Sequence, residues 1–180
     1  MKRWLGRLAV VAAGGVTVGL AGFWFVTLPA VVTTSALPPH TPNLANGQTM
    51  FNIGGCASCH ATPNSDPDKV DRARLGGGLA LRSPFGTFYV PNISPDPRDG
   101  IGKWSEANFV TALWKGTSPR GNHLFPAFPY DSYQRMTLDD VRDLFAYLKT
   151  LKPVRHHVDN TEPPTFCKIC RQTHGGVNQN

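Results

Sequence analysis

Two stretches of this chain, residues 61–103 and 117–136, are so dense in proline, glycine and aspartate that no long helix or extended sheet can run through them. Proline removes an amide donor and fixes φ, and glycine loses the most freedom on ordering. With 18 Gly and 16 Pro in 180 residues, nearly a fifth of the chain breaks regular structure, against roughly 12% in average proteins. What remains for helices is local. Residues 46–51 read as the end of a short helix running into Gly54-Gly55. Ser105 reads as an N-cap, with Glu106 in the first turn, Gly116 as the stop, and Phe109, Ala112 and Leu113 on one face. Thr137 opens a final helix with Asp139 and Asp140 in its first turn. Val141, Leu144, Phe145, Leu148 and Leu151 form its apolar stripe, and Pro153 ends it. A short strand is expected at Gly86–Val90. The expected fold is all-α, a few helices separated by loops, and loops this long call for something that organises them. A large buried cofactor supplies the apolar surface that loops lack.

The N-terminal segment is of another kind. Leu8 to Leu28 is 21 residues without a charge, which as a helix spans about 31 Å, close to the hydrocarbon thickness of a bilayer. Lys2, Arg3 and Arg7 precede it, so the N-terminus is expected in the cytoplasm and the rest across the membrane, in a bacterium in the periplasm. Trp24 and Phe25 suit the aromatic belt at the far interface. A cleaved signal peptide is the competing reading, with Thr34-Ser35-Ala36 as a small-residue cleavage site. The length of the apolar run favours an anchor in the inner membrane. Those three basic residues also account for half of the +6 formal charge, leaving +3 from 15 basic and 12 acidic residues in the remainder. No basic run with interleaved aromatics appears, so nucleic acid is not an expected partner.

Cys56-Ala57-Ser58-Cys59-His60 carries the chemistry. Cysteines three apart on a helical turn share a face and can each bond a vinyl group of one porphyrin, and the next histidine supplies the proximal iron ligand. This C-x-x-C-H pattern is that of covalent haem c attachment. A thioredoxin-type disulfide requires a βαβ context, and a zinc site requires two further ligands, which only the distant Cys167/Cys170 pair offers. The sixth ligand in electron carriers is usually Met or His. Met1 lies on the wrong side of the membrane, and Met50 lies six residues before Cys56. Met136 follows a Pro-rich loop and precedes the final helix, so elimination favours it, with His123 as the main rival. His40 sits in the linker, and His156 and His157 lie beyond the final helix.

The motif and two later runs, PNISPDPRDGIGKW and FPAFPYDSYQRMT, together resemble class I c-type cytochromes. More narrowly, residues 43–155 resemble the first haem domain of the cytochrome c subunits of membrane-bound bacterial alcohol and gluconate-type dehydrogenases. The resemblance implies Cys56 and Cys59 as thioether sites, His60 as proximal ligand and Met136 as distal ligand. It implies an N-terminal helix (Gly47, Phe51) crossing a C-terminal helix (Phe145, Tyr147, Leu148) beside the haem. Those subunits carry three haem domains in tandem, whereas one CxxCH occurs here.

The expected organisation is an anchor or signal at 1–28, a Pro-rich extended linker at 29–42, a cytochrome c domain at 43–155 and a flexible tail at 156–180. In the tail, Cys167 and Cys170 are followed by Arg171 and not His, so they are not counted as a second haem site. A local disulfide or two exposed thiols are favoured there over metal binding with His174. Asn92, Trp104, Tyr130 and Tyr133 are candidates to hydrogen-bond a haem propionate or the axial methionine, against ordinary loop packing. Asp66, Asp68 and Asp71 lack calcium-loop spacing and read as a solvated loop. The expected function is single-electron transfer by one covalent haem c, without catalysis of its own. Redox proteins are the expected partners: a dehydrogenase or quinol-linked donor, and an oxidase or soluble carrier as acceptor. The competing classes are a haem peroxidase or sulfur-compound oxidoreductase, or a gas sensor, each requiring an open sixth iron position.

Overall fold

The computed structural model describes residues 2–63, 73–83, 86–125 and 127–159. Asp66, Asp68, Asp71, Cys167, Cys170 and His174, for which the sequence raises expectations, lie outside the described residues. The first helix, α1 (Lys2–Val26), includes the apolar span Gly6–Val26, none of which is buried against the rest of the chain. By length and composition that span fits a bilayer, as an anchor or a signal.

The remaining helices are short and begin and end where their capping residues dictate. In α2 (Leu44–Ile53) the Asn43 side chain accepts from the amides of Ala45 and Asn46. A single turn follows as α3 (Cys56–His60), entered through Gly55 at φ 65°. Ser105 and Asn108 form a reciprocal capping box on α4 (Glu106–Lys115), which stops at Gly116 in the left-handed region. Thr137 accepts from the Asp140 amide to start α6 (Leu138–Thr150). Between them, α5 (Tyr130–Tyr133) is one turn after Pro129 in what the sequence read as loop. Four residues are too few to show a helical period, so no sequence signal was available.

The expected strand is present as β2 (Gly86–Tyr89), and it pairs antiparallel with β1 (Ala80–Ser83), Leu81 opposite Phe88. Strand β1 falls in the stretch expected as loop, where the glycines at 76–78 and Pro84 read as breakers on either side of it. Among the described residues the protein is mostly helical with one small hairpin, whose Phe88 stacks on Phe125 at 3.6 Å between ring centroids.

The core lies where α2, α4 and α6 meet. Val110, Val141, Leu144 and Leu148 are fully or almost fully buried there, and Phe109 stacks on Phe145 at 4.9 Å. The α2–α6 crossing expected from the family resemblance is present. Gly47 lies against the α6 backbone at Asp143, and the Phe51 and Tyr147 rings are 5.5 Å apart. Asn46 Nδ2 donates to Asp140 Oδ1 at 2.8 Å and Asp143 Oδ2 at 2.9 Å, fixing the register of the crossing.

Residues 29–42 differ from a free extended linker. They contain a 3-10 turn at Thr34–Ala36, and Val32 and Leu37 pack against the core. The Val32 amide donates to Thr111 Oγ1 at 2.9 Å, and Arg142 Nη1 donates to the Pro38 carbonyl at 2.7 Å. The prolines stiffen this segment and leave its carbonyls to side-chain donors on the helices.

The loop carrying PNISPDPRDGIGKW is stapled from within. Asp96 Oδ1 accepts from the amides of Arg98 and Asp99, while the Gly100 and Gly102 amides donate to the Asp96 carbonyl. The Asp99 amide foremost holds the Asp96 carboxyl below its ordinary pKa. Asp96 therefore holds the loop together through four amides of its own run.

Candidate haem site

Cys56 and Cys59 sit one turn apart on α3, and His60 ends that turn. The His60 imidazole reaches back to the loop after β2. Its Nδ1–H donates to the Pro91 carbonyl at 2.8 Å. That bond fixes the tautomer and leaves the Nε2 lone pair free for a metal, the usual outer support of a ligating histidine. Burial pushes the His60 pKa down to about 4 despite the Pro91 bond, so the ring is neutral at physiological pH, the form that ligates. The loop after β2 can come this close because residues 76–78 are all glycine. The Gly77 amide donates to the His60 carbonyl at 2.8 Å, and Gly77 has φ 67° with the Pro91 carbonyl carbon 2.5 Å from where a Cβ would stand. Burial raises the Cys56 thiol to about 11.

These groups open onto an apolar cavity of about 370 Å³. Its walls include Cys56, Cys59, His60 and Met136, so the structure brings all four sequence candidates to one cavity. Ile101, Phe109, Leu113, Leu144 and Leu148 contribute much of the hydrocarbon lining, and Leu124, Phe125 and Phe128 come from the Pro-rich loop. Met50, set aside from sequence, also lines it.

The rival histidines are engaged elsewhere. His123 Nε2 donates to the Thr27 carbonyl at 3.2 Å. His40 lies between Asp143 and Asp139, at 2.7 and 3.3 Å. His156 Nδ1 donates to the Gly76 carbonyl at 2.8 Å, and His157 is 3.9 Å from Asp99. Among the described histidines, His60 alone lines the cavity.

Of the four polar candidates in the loops, two line the cavity, Trp104 and Tyr133. Tyr133 gives its hydroxyl hydrogen to the Gly54 carbonyl at 2.8 Å, closing the Pro-rich loop onto the turn before Cys56. Trp104 is buried, and its indole Nε1 has no partner among the described residues. An orphaned donor on a cavity wall suits a ligand with an acceptor such as a carboxylate. Asn92 instead does ordinary loop packing, donating to the carbonyls of Val154 at 2.7 Å and His156 at 3.1 Å.

The cavity fits haem c on these grounds: two thiols one turn apart, a neutral histidine with Nε2 free, a thioether, apolar walls and a spare donor. Sequence reasoning missed the Pro91 carbonyl and the hairpin wall of Leu81 and Phe88, neither of which has a local signal of its role.

The family model for cytochrome c matches residues 44–152. A diheme cytochrome c-type protein of Cereibacter sphaeroides is 46% identical over 135 residues, covering 75% of this chain and 45% of that protein. The cytochrome subunit of fructose dehydrogenase from Gluconobacter japonicus is 37% identical over 126 residues, 69% of this chain and 25% of its own. The cytochrome c subunit of alcohol dehydrogenase (quinone) from Gluconacetobacter polyoxogenes is 38% identical over 109 residues, 60% of this chain and 22% of its own. This chain is matched to less than half the length of each of these relatives.

Proposed function

The chain belongs to the cytochrome c family, whose members carry covalent haem c and transfer electrons, and we propose that it is a membrane-held single-haem electron carrier serving a dehydrogenase. The observation that carries this reading is the convergence of Cys56, Cys59, His60 and Met136 on one apolar cavity, with His60 oriented by Pro91. Cys56 and Cys59 would hold the porphyrin by thioether bonds. His60 Nε2 and the Met136 sulfur would be the axial ligands. A haem held by these residues would supply reversible one-electron exchange.

The rest of the site keeps that exchange clean. The apolar walls exclude water, which limits the charge reorganisation between the two oxidation states. The Pro91 carbonyl strengthens His60 as a donor to the metal. Trp104, whose indole N–H has no partner among the described residues, would be a donor for a propionate. With His60 and Met136 both committed to holding the group, no position would remain for a substrate, which is what would separate the carrier from the enzyme and sensor classes.

The haem domain is assigned to residues 43–155, behind an anchor at 1–28 that places it in the periplasm. The dehydrogenase partner is suggested by relatives named as cytochrome subunits of alcohol and fructose dehydrogenases. An oxidase or a soluble carrier would take the electron onward.

The test is optical. Purified ferric protein is expected to show the weak far-red charge-transfer band of Met-ligated haem, and Met136→Ala is expected to lose it. Reduced wild type is expected to bind CO poorly and Met136→Ala readily. A wild type without the band that binds CO readily would have an open sixth position and would belong to the enzyme or sensor class.

A further inference from the structure

The segment between the apolar helix and the haem domain is held at four points. The Thr27 carbonyl accepts from His123. The Val32 backbone pairs with Thr111 of α4, its amide donating at 2.9 Å and its carbonyl accepting at 3.5 Å. The Pro38 carbonyl accepts from Arg142 of α6, which also pairs with Glu106 of α4 at 2.9 Å. His40 is lodged against Asp143 of α6 at 2.7 Å. Val32 and Leu37 add apolar contact with the core. No more than about six residues separate successive attachments, so the segment has little length in which to act as a tether.

Two consequences follow from where these points lie. The candidate cleavage site, Thr34-Ser35-Ala36, falls inside the attached segment, and the Thr27 and Val32 contacts lie on its N-terminal side. A cut there would discard contacts that the folded domain makes. Trp24 and Phe25 are exposed at the end of α1, where aromatic side chains mark the headgroup level. Thr27 is the next turn, and its bond to His123 places the 117–125 turn at that level too. Leu124 and Phe125 of this turn are walls of the cavity.

We propose that residues 29–42 are a docked strap that keeps α1 as a retained anchor and holds the 117–125 turn against the lipid headgroups. The haem domain then meets the membrane with one fixed face, a cavity wall, and its redox partner approaches along the membrane surface. This rests on the anchored reading above, but not on the axial ligands.

The test uses the full-length holoprotein in nanodiscs of phosphatidylcholine and phosphatidylglycerol with some nickel-chelating lipid, in a Cys167→Ser/Cys170→Ser background. Intact mass is expected to show α1 retained. With the haem reduced, nitroxides at Leu28→Cys and Lys115→Cys are expected to give a narrow distance distribution. A Gly-Ser insertion between Leu28 and Pro29 is expected to broaden it several-fold. A nitroxide at Asn122→Cys is expected to relax faster in the presence of the nickel lipid, and the insertion is expected to remove that effect. A mature chain cut at 34–37, a wild-type distribution as broad as the insertion variant, or no nickel effect at Asn122 overturns the proposal. The haem spectrum of each sample is recorded alongside, so a failure of axial ligation is seen separately from a failure of the strap.

Discussion

Gly47 of α2 lies directly on the backbone of Asp143 in α6. A Cβ there would run into the Asp143 carbonyl, with its carbon at 2.7 Å, and would stand 2.8 Å from Tyr147 Cβ. The two helices that close the haem domain are therefore as near as backbones allow, and a hydrogen at position 47 is what permits it.

Gly47→Ala is expected to push the helices apart. Alanine favours helix over glycine by about 1 kcal/mol, but overpacking against a backbone costs about 1–3 kcal/mol. A net loss of up to about 2 kcal/mol is expected, measured by denaturant unfolding followed by circular dichroism.

The same crossing sets the acid limit of the fold. Burial alone would raise the Asp143 pKa, but the Asn43 amide, Asn46 and His40 outweigh it and hold the carboxyl below its ordinary 3.8. The Asn46 and Thr137 side chains hold Asp140 low in the same way. A carboxyl whose folded pKa is depressed adds stability that is present above its unfolded pKa and is lost as pH falls through the folded one. Stability is expected to fall as the pH drops below about 3.8, and Asp143→Asn is expected to lower stability at neutral pH and flatten the acid slope. Urea titrations across pH check both.

Asn92 is expected to matter to the haem without touching it. It ties the loop beginning at Pro91 to the chain at Val154 and His156, and the Pro91 carbonyl orients His60. Asn92→Ala removes the acceptor of the buried Ser94 amide and a donor to the Val154 carbonyl, costing about 1–3 kcal/mol. A loosened Pro91 carbonyl weakens His60 as a donor, which destabilises Fe(III), so the midpoint potential is expected to rise. Spectroelectrochemistry reads that shift, and Ser94→Ala serves as a comparison that loses a nearby bond to Val154.

Tyr133→Phe removes the hydroxyl that closes the Pro-rich loop onto Gly54. The ring remains packed on Phe128, at 5.4 Å between centroids, so the expected stability loss is only about 1 kcal/mol. The Met136 amide bonds to the Tyr133 carbonyl at 2.9 Å, so a looser turn is expected to free the methionine more often. Stopped-flow CO binding to the reduced variant is expected to be faster than to wild type.

The haem count is testable through the cysteines. Cys56→Ala or Cys59→Ala is expected to retain haem through one thioether, and the double variant to lose haem staining on a denaturing gel. Cys167→Ser/Cys170→Ser is expected to leave staining unchanged, with one iron per chain. Two irons per chain would require a second site.

By itself, the sequence determined the features whose causes lie within a few residues. Ser105 and Thr137 cap their helices because a side-chain oxygen reaches the amide three positions on. Gly116 stops α4 because it tolerates a positive φ. The Cys56–His60 spacing puts two thiols and an imidazole on one turn, and the charge-free run after Arg7 defines a membrane-length helix. Tertiary structure decided every pairing across distance. His60 finds Pro91 31 residues away, and Arg142 finds Pro38 across 104. It brought Met136 to the cavity and left His123 at the end of the apolar helix. Strand β1 and α5 belong with these, since each is a four-residue segment that forms only against a neighbour. Capping and motif spacing act through local hydrogen bonds and are written in adjacent residues. A carbonyl partner or a strap exists only once packing has brought distant chain together.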